Sequence, residues 1–184
     1  KKDNLRLGLD GERAVAEELN QLMRKGAIVF HDVPGDEFNI DHLVIAREGV
    51  FAVETKGYSK PVNADGTVEA RVHFDGERLT FPMFRTSKPL DQAERQAKWV
   101  SQWLSKSTGS QVTATPVLAL PGWFVEQTGN GPVRVYSGKQ LGLLLSGRGT
   151  VRLSDERVQS VAYQVEQRCR TVPRAFAPLD DKVT

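Results

Sequence analysis

The sequence is poor in the residues on which several familiar chemistries depend. Of its 184 residues only one is cysteine, Cys169, and three are histidine. A lone cysteine cannot close an internal disulfide, which favours an intracellular, reducing, cytoplasmic setting, and no secretory leader is expected. One cysteine with the scattered His31, His42 and His73 argues against a structural zinc site. No apolar run approaches the roughly 18 residues that a membrane helix needs, so no membrane contact is expected. There is no Gly-x-Ser-x-Gly and no glycine loop for phosphate, which removes serine hydrolases and nucleotide hydrolases from consideration.

What is present reads as an ordinary globular chain, 39% hydrophobic and 26% charged. Its length fits a single domain with a real core, expected over 1–172 with a loose tail over 173–184. The opening Lys1-Lys2-Asp3 lacks methionine, as in a piece of a longer protein; additional domains and a homodimer are both left open. The net charge of +2 conceals an asymmetry. Residues 1–54 carry 7 Lys/Arg against 11 Asp/Glu, whereas 134–174 carry 8 against 3. An acidic half beside a basic half suits a site that holds cations and also approaches a polyanion. A solvated helix face with extra arginine explains the same run more simply.

Hydrophobic periodicity predicts the elements. A helix begins at Gly11, with Asp10 as its cap, Val15, Leu19, Leu22 and Met23 on one stripe, and Gly26 at its end. Residues 27–33 read as a strand, followed by a Pro34-Gly35-Asp36 turn. Residues 40–46 and 50–56 form a hairpin about Arg47-Glu48-Gly49. An excursion over 57–85 holds two strands, 68–74 and 78–84, around Asp75-Gly76. A helix follows Pro89, with Ala93, Ala97, Val100 and Leu104 inward. Strands at 115–120 and 133–136 and helices at 139–145 and 154–170 complete the chain. This order points to an α/β sandwich around a mixed sheet, with an inserted hairpin.

The chemistry concentrates on the hairpin. Strand side chains alternate, so Glu54 and Lys56 share a face. A two-residue turn at Arg47-Glu48 pairs Ala46 with Gly49 and sets Asp41 opposite Glu54, about 5 Å apart at Cβ. Two carboxylates among Ile40, Leu43, Val44, Ile45 and Val53 need a cation between them. Oxygen ligands alone favour Mg²⁺ or Mn²⁺. Lys56 then completes a set for phosphate hydrolysis, holding the attacking water or the charge developing on phosphorus. Glu12 lies on the core-facing stripe of the first helix and needs a partner there. Each of these residues taken singly is more simply a solvated or paired surface group; their combination carries the argument. Two acids at this spacing also suit a retaining glycosidase, a chemistry that Lys56 fits poorly.

Gly11-Glu12-x-x-Val15, Ile40-Asp41-His42-x-Val44, Gly49-Val50-Phe51-x-Val53-Glu54-Thr55-Lys56 and Pro89-x-x-Gln92 together resemble the nuclease-related domain, NERD, over about residues 5–120. That domain is placed in the PD-(D/E)XK superfamily and is similar to archaeal Holliday-junction resolvases. The resemblance implies a restriction-endonuclease-like fold with metal on Asp41 and Glu54. It further implies Lys56 as the catalytic lysine, Glu12 as an accessory acid and Gln92 as the helix glutamine near the site. Ile40 stands where the superfamily name has proline.

His42 alternates away from Asp41 and reads as structural; His31 and His73 receive no role, and Cys169 reads as a buried thiol. Arg71, Arg78, Arg85, Lys88, Arg95 and Lys98, interleaved with Phe74, Phe81, Phe84 and Trp99, could grip phosphates and stack bases. Hairpin packing explains the phenylalanines equally well, and Trp99 and Trp103 read as core. The expectation is a DNA endonuclease or exonuclease domain dependent on Mg²⁺ or Mn²⁺. Its rival is an inactive module on the same fold that binds nucleic acid or a protein.

Overall fold

The computed structural model describes residues 2–147 and 152–175, leaving Arg148 and most of the expected tail outside the described residues. Along the chain run α1 (Lys2–Gln21), β1 (Ile28–Pro34), β2 (Asn39–Ala46), β3 (Gly49–Thr55), β4 (Arg71–Phe74), β5 (Leu79–Thr80), β6 (Arg85–Thr86) and α2 (Lys88–Thr108). They are followed by β7 (Ala114–Ala119), β8 (Phe124–Gln127), β9 (Arg134–Tyr136) and α3 (Asp155–Thr171), with 3-10 segments at Leu22–Lys25 and Gly138–Ser146. No helix among the described residues is long and apolar enough to cross a membrane.

The principal sheet has the order β1-β2-β3-β7-β9. Its first three strands are antiparallel, and β7 and β9 add in parallel. β3 lies in the middle because Val50, Phe51, Ala52 and Val53 are apolar on both faces and all buried. Strand alternation divides the core in two. Leu43, Ile45, Val50 and Ala52 pack with Ala97, Val100 and Leu104 of α2 and Val158, Val161 and Val165 of α3. Val44, Ala46, Phe51 and Val53 face Val15 and Leu19 of α1 and Leu141 and Leu144 of the second 3-10 segment. This is the expected mixed α/β sandwich, consistent with a restriction-endonuclease-like architecture. The expected hairpin register holds as well, with Ala46 opposite Gly49 and His42 opposite Val53.

Three expectations are corrected. α1 starts at Lys2, so Asp10 lies within the helix and caps nothing. Gly11 belongs in that helix for a steric reason: a Cβ there would lie 3.2 Å from Pro121 Cγ and 3.6 Å from the Gly57 backbone. The close crossing outweighs the roughly 1 kcal/mol that a helical glycine costs. Met23, placed on the buried stripe, is 50% exposed, because the chain has tightened into a 3-10 turn after Gln21. Cys169 is exposed rather than a buried thiol.

The excursion after β3 is also more than a hairpin. Its strands are shorter than expected, and they recruit β8 to form a second sheet, β6-β5-β4-β8. Asp75 to Arg78 make a four-residue connection closed by the Asp75 N–H on the Arg78 carbonyl. Val72, Phe74, Leu79, Phe81 and Trp123 form the core of this smaller layer.

The arginines of the basic segment are largely committed to the protein itself. Arg152 reaches Glu48 at 3.1 Å and Arg157 the Gln111 carbonyl at 3.2 Å. Arg170 pairs with Glu166 at 2.6 Å and Arg174 with Asp32 at 3.1 Å. The Arg168 guanidinium lies 4.7 Å from the Trp99 ring and donates to the Pro34 and Gly35 carbonyls. Trp99 and Trp103 are partly buried and stacked against the core, as their spacing suggests.

His42 is 3% exposed, and its Nδ1 lies 2.8 Å from Nδ1 of His31, whose Nε2 donates to Asn20 Oδ1 at 2.8 Å. Burial, then the neighbouring His31, pushes the His42 pKa down to about 3. The native state therefore keeps this ring neutral while the unfolded chain takes up a proton below about pH 6.5. Stability from this group is complete above that pH and is lost as pH falls towards 3. The loss is on the order of 3 kcal/mol by pH 4. Chemical denaturation across this range should give a flatter pH slope for His42→Leu than for the unsubstituted protein. Parallel slopes would contradict this assignment.

Candidate active site

The β2–β3 ladder ends at His42 opposite Val53, so Asp41 and Glu54 are the next residues of the two strands. An Asp41 carboxylate oxygen, Oδ2, accepts the Thr55 backbone N–H at 2.8 Å. Asp41 thus closes the ladder at the point where the strands begin to part. β3 itself continues past Thr55, because the Lys56 N–H donates to the Ala119 carbonyl of β7 at 3.0 Å. This keeps the Glu54–Lys56 alternation intact and puts both side chains on the sheet face covered by α2.

Glu54 is 2% exposed, at the end of a strand whose other members are almost all apolar. Such a carboxylate needs charge compensation and hydrogen bonds. Its Oε1 lies 2.7 Å from Lys56 Nζ, and its Oε2 accepts from Gln96 Nε2 at 2.9 Å. Lys56 is 23% exposed at its side chain, so the same ammonium that pairs Glu54 also reaches towards solvent. Tyr58, further along the same segment, has its phenol pushed up to about 12 by burial and then by the negative charge of Glu54. It therefore remains a protonated phenol at neutral pH.

Gln96 was not singled out from the sequence, although a signal existed. It falls three residues after Ala93 and four before Val100, on the buried stripe of α2, where a polar amide requires a partner. Gln92, the glutamine suggested by resemblance, lies one turn earlier and is half-buried; the hydrogen bond to Glu54 comes from Gln96. Glu12 is half-buried on α1. The preceding residue, Gly11, crosses the chain at Gly57, just beyond Lys56. Among the described residues no group of three His, Cys, Asp or Glu side chains is arranged to hold a metal ion. The acids next to the end of the hairpin ladder are two, Asp41 and Glu54.

Two buried oxygens, Gln96 Oε1 and Thr55 Oγ1, have no hydrogen-bond partner. Such atoms are costly and uncommon. Of the basic residues singled out, Arg71 pairs with Glu126 at 2.8 Å. The side chains of Arg78, Arg85, Lys88, Arg95 and Lys98 are exposed, and none has an ion-pair partner among the described residues.

Comparison with known proteins matches residues 7–121 to the family model described as the nuclease-related domain. An uncharacterized protein of Bacillus anthracis is 46% identical over 56 residues, which cover 28% of this chain and 26% of that protein. The matched stretch thus spans about a quarter of that relative's length. No solved structure matches the chain at a significant level. The matched span, residues 7–121, contains every residue of the candidate site.

Proposed function

Since the chain belongs to the nuclease-related domain family, we propose that it hydrolyses DNA phosphodiester bonds with Mg²⁺ or Mn²⁺ at Asp41, Glu54 and Lys56. The observation that carries this reading is Glu54: a carboxylate 2% exposed and salt-bridged to Lys56 at 2.7 Å, on the strand that pairs with the one bearing Asp41. Keeping two acids and a lysine in an apolar setting has no packing rationale, since hydrophobic replacement of a buried ion pair is often stabilising.

The donor set fits the cation. Mg²⁺ retains several waters and binds through one or two carboxylates together with substrate phosphate oxygens. Asp41 and Glu54 would be those carboxylates, and the unpartnered Gln96 Oε1 would accept from a water of the hydrated ion. When bound, the metal supplies Lewis-acid polarisation of the phosphate and neutralises charge as it develops. The remaining work belongs to the chain. Gln96 fixes the Glu54 rotamer through Oε2, and the Thr55 N–H fixes Asp41. Lys56 turns its ammonium from Glu54 to the phosphate, orients the attacking water and stabilises the added negative charge on phosphorus. Water adds to phosphorus, the bond to one ester oxygen breaks, and the departing oxygen leaves as an alcohol once protonated.

DNA must reach these acids over a positive rim. The commitments of Arg152, Arg157, Arg168, Arg170 and Arg174 favour the 71–98 region for that role. DNA binding should weaken with salt at a log–log slope of about −0.9 per phosphate contacted. Replacing Arg85 and Lys88 by alanine should reduce the slope by about 2, while replacing Arg170 leaves it unchanged. Affinity that barely changes with salt would remove DNA as the partner. The proposal as a whole is tested by incubating labelled single-stranded, duplex and junction DNA with Mg²⁺, Mn²⁺ or EDTA. Cleavage confined to the metal lanes supports it. Binding with no cleavage in any lane moves the reading to a module that holds nucleic acid without turnover.

A further inference from the structure

The segment after β5 leaves apolar groups exposed beside the site. The Phe81 N–H donates to the Phe84 carbonyl at 2.9 Å, closing a turn with Pro82 and Met83 at its tip. Met83 is 78% exposed and Phe84 is 40% exposed, whereas Phe81 is 3% exposed. The two phenylalanine rings are nearly parallel, with centroids 4.6 Å apart and an interplanar angle of 18°. Phe81 is held from behind by Tyr58 at 4.8 Å and by Trp123, edge-on, at 4.9 Å. Phe84 also touches Tyr58, at 5.3 Å. Tyr58 links this aromatic group to the candidate site, because it lies two residues beyond Lys56 on the segment that leaves β3.

The arrangement is a ring stack anchored at its inner end and accessible at the Phe84 end. Hydrophobicity alone would favour burying Phe84 and Met83. Cations flank the turn instead of acids: Arg85 follows Phe84 directly, Lys88 lies three residues on, and both are exposed without an ion-pair partner among the described residues. An exposed aromatic ring with adjacent unpaired cations complements a flat aromatic group carried on a polyanion.

We propose that the exposed end of the Phe81–Phe84 ring pair is a stacking platform for an unpaired nucleobase, so that the site selects DNA with a single-stranded or frayed nucleotide beside the scissile phosphate. The choice of DNA over another polyanion, and the scissile phosphate, rest on the hydrolytic reading above; the stacking of an unpaired base does not. A stacked duplex offers no free base face, whereas an unpaired base can extend the ring stack outward. Met83 at the tip would abut the neighbouring base step and hold the strand open.

The test reads binding in EDTA, without turnover, using single-stranded and duplex oligonucleotides of equal length that carry a fluorescent adenine analogue. The unsubstituted protein should bind the single strand more tightly and quench the analogue. Phe84→Leu, which keeps apolar area but removes the ring, should lose about tenfold or more in single-strand affinity, and the quenching with it. Phe84→Trp should retain both, and duplex binding should change in neither variant. Melting temperatures measured alongside verify that each variant is folded. Unchanged single-strand affinity in Phe84→Leu, or an equal loss on duplex, would overturn the platform, as would a surface that binds both DNAs alike because it serves a protein partner. Loss of the platform with metal-dependent cleavage retained discards this inference alone; stacking without cleavage discards the hydrolytic reading alone.

Discussion

Lys56→Ala is expected to slow metal-dependent DNA cleavage by about 10²–10³-fold, the usual effect of removing one group that stabilises transition-state charge. That corresponds to roughly 3–4 kcal/mol in the barrier. The carboxylates remain, so metal should still bind, and with one cation fewer nearby it should bind at least as well. The ion pair adds a second consequence. Lys56 Nζ sits 2.7 Å from Glu54 Oε1, and Glu54 is 2% exposed. Removing the lysine leaves a buried carboxylate with the Gln96 amide but without that cation. Breaking a fully buried pair costs about 3–5 kcal/mol. Because Lys56 is partly exposed, a loss on the order of 2 kcal/mol is the better expectation. Added Mg²⁺ or Mn²⁺ should recover that stability by supplying the missing charge. Thermal melts in EDTA and in metal, beside a cleavage time course, read both effects. A variant with full cleavage, or one whose stability loss metal does not relieve, would contradict the role given to Lys56.

Glu54→Gln should also slow cleavage, by the opposite route. Here the metal loses a charged ligand, so calorimetric titration should show weaker binding, and surplus Mn²⁺ should recover part of the rate. The loss at ordinary metal concentration should reach about 10² or more. Stability in EDTA should change little, because a glutamine is isosteric with the glutamate and asks for no cation, while the partly exposed Lys56 can turn to water. Metal affinity and metal-free stability therefore move in different directions in the two variants. A Glu54→Gln protein that binds Mn²⁺ with undiminished affinity would place the metal elsewhere.

Much of the site was legible because its geometry is local. Period-two alternation and a two-residue turn were enough to give the Ala46–Gly49 register and to put Glu54 and Lys56 side by side, and no long-range contact was needed. The α2 stripe was legible for the same reason. Gln96 is less legible because motif spacing singles out Gln92, although the helical period places Gln96 among the buried positions of α2. β8 was missed because Phe124–Gln127 carries little pattern of its own: Phe124 is 60% exposed, and the strand forms by pairing with β4, some 50 residues away. The early start of α1 was hidden by Gly8 and Gly11. Gly11 reads locally as a helix boundary, yet its lack of a side chain is what lets the helix cross Gly57 and Pro121. The charge asymmetry misled more than it helped. Composition does not reveal that Arg168 is spent on carbonyls and tryptophans, or that Arg170 and Arg174 are spent on acids.

Metal-dependent cleavage of DNA at Asp41, Glu54 and Lys56 is tested most directly by a cleavage time course on one labelled single-stranded DNA, with unsubstituted protein and Lys56→Ala purified in parallel, in Mn²⁺ and in EDTA. The account predicts cleavage by the unsubstituted protein in Mn²⁺ alone, and a rate about 10²–10³-fold lower for Lys56→Ala. Equal rates for the two proteins, or cleavage that persists in EDTA, would contradict it.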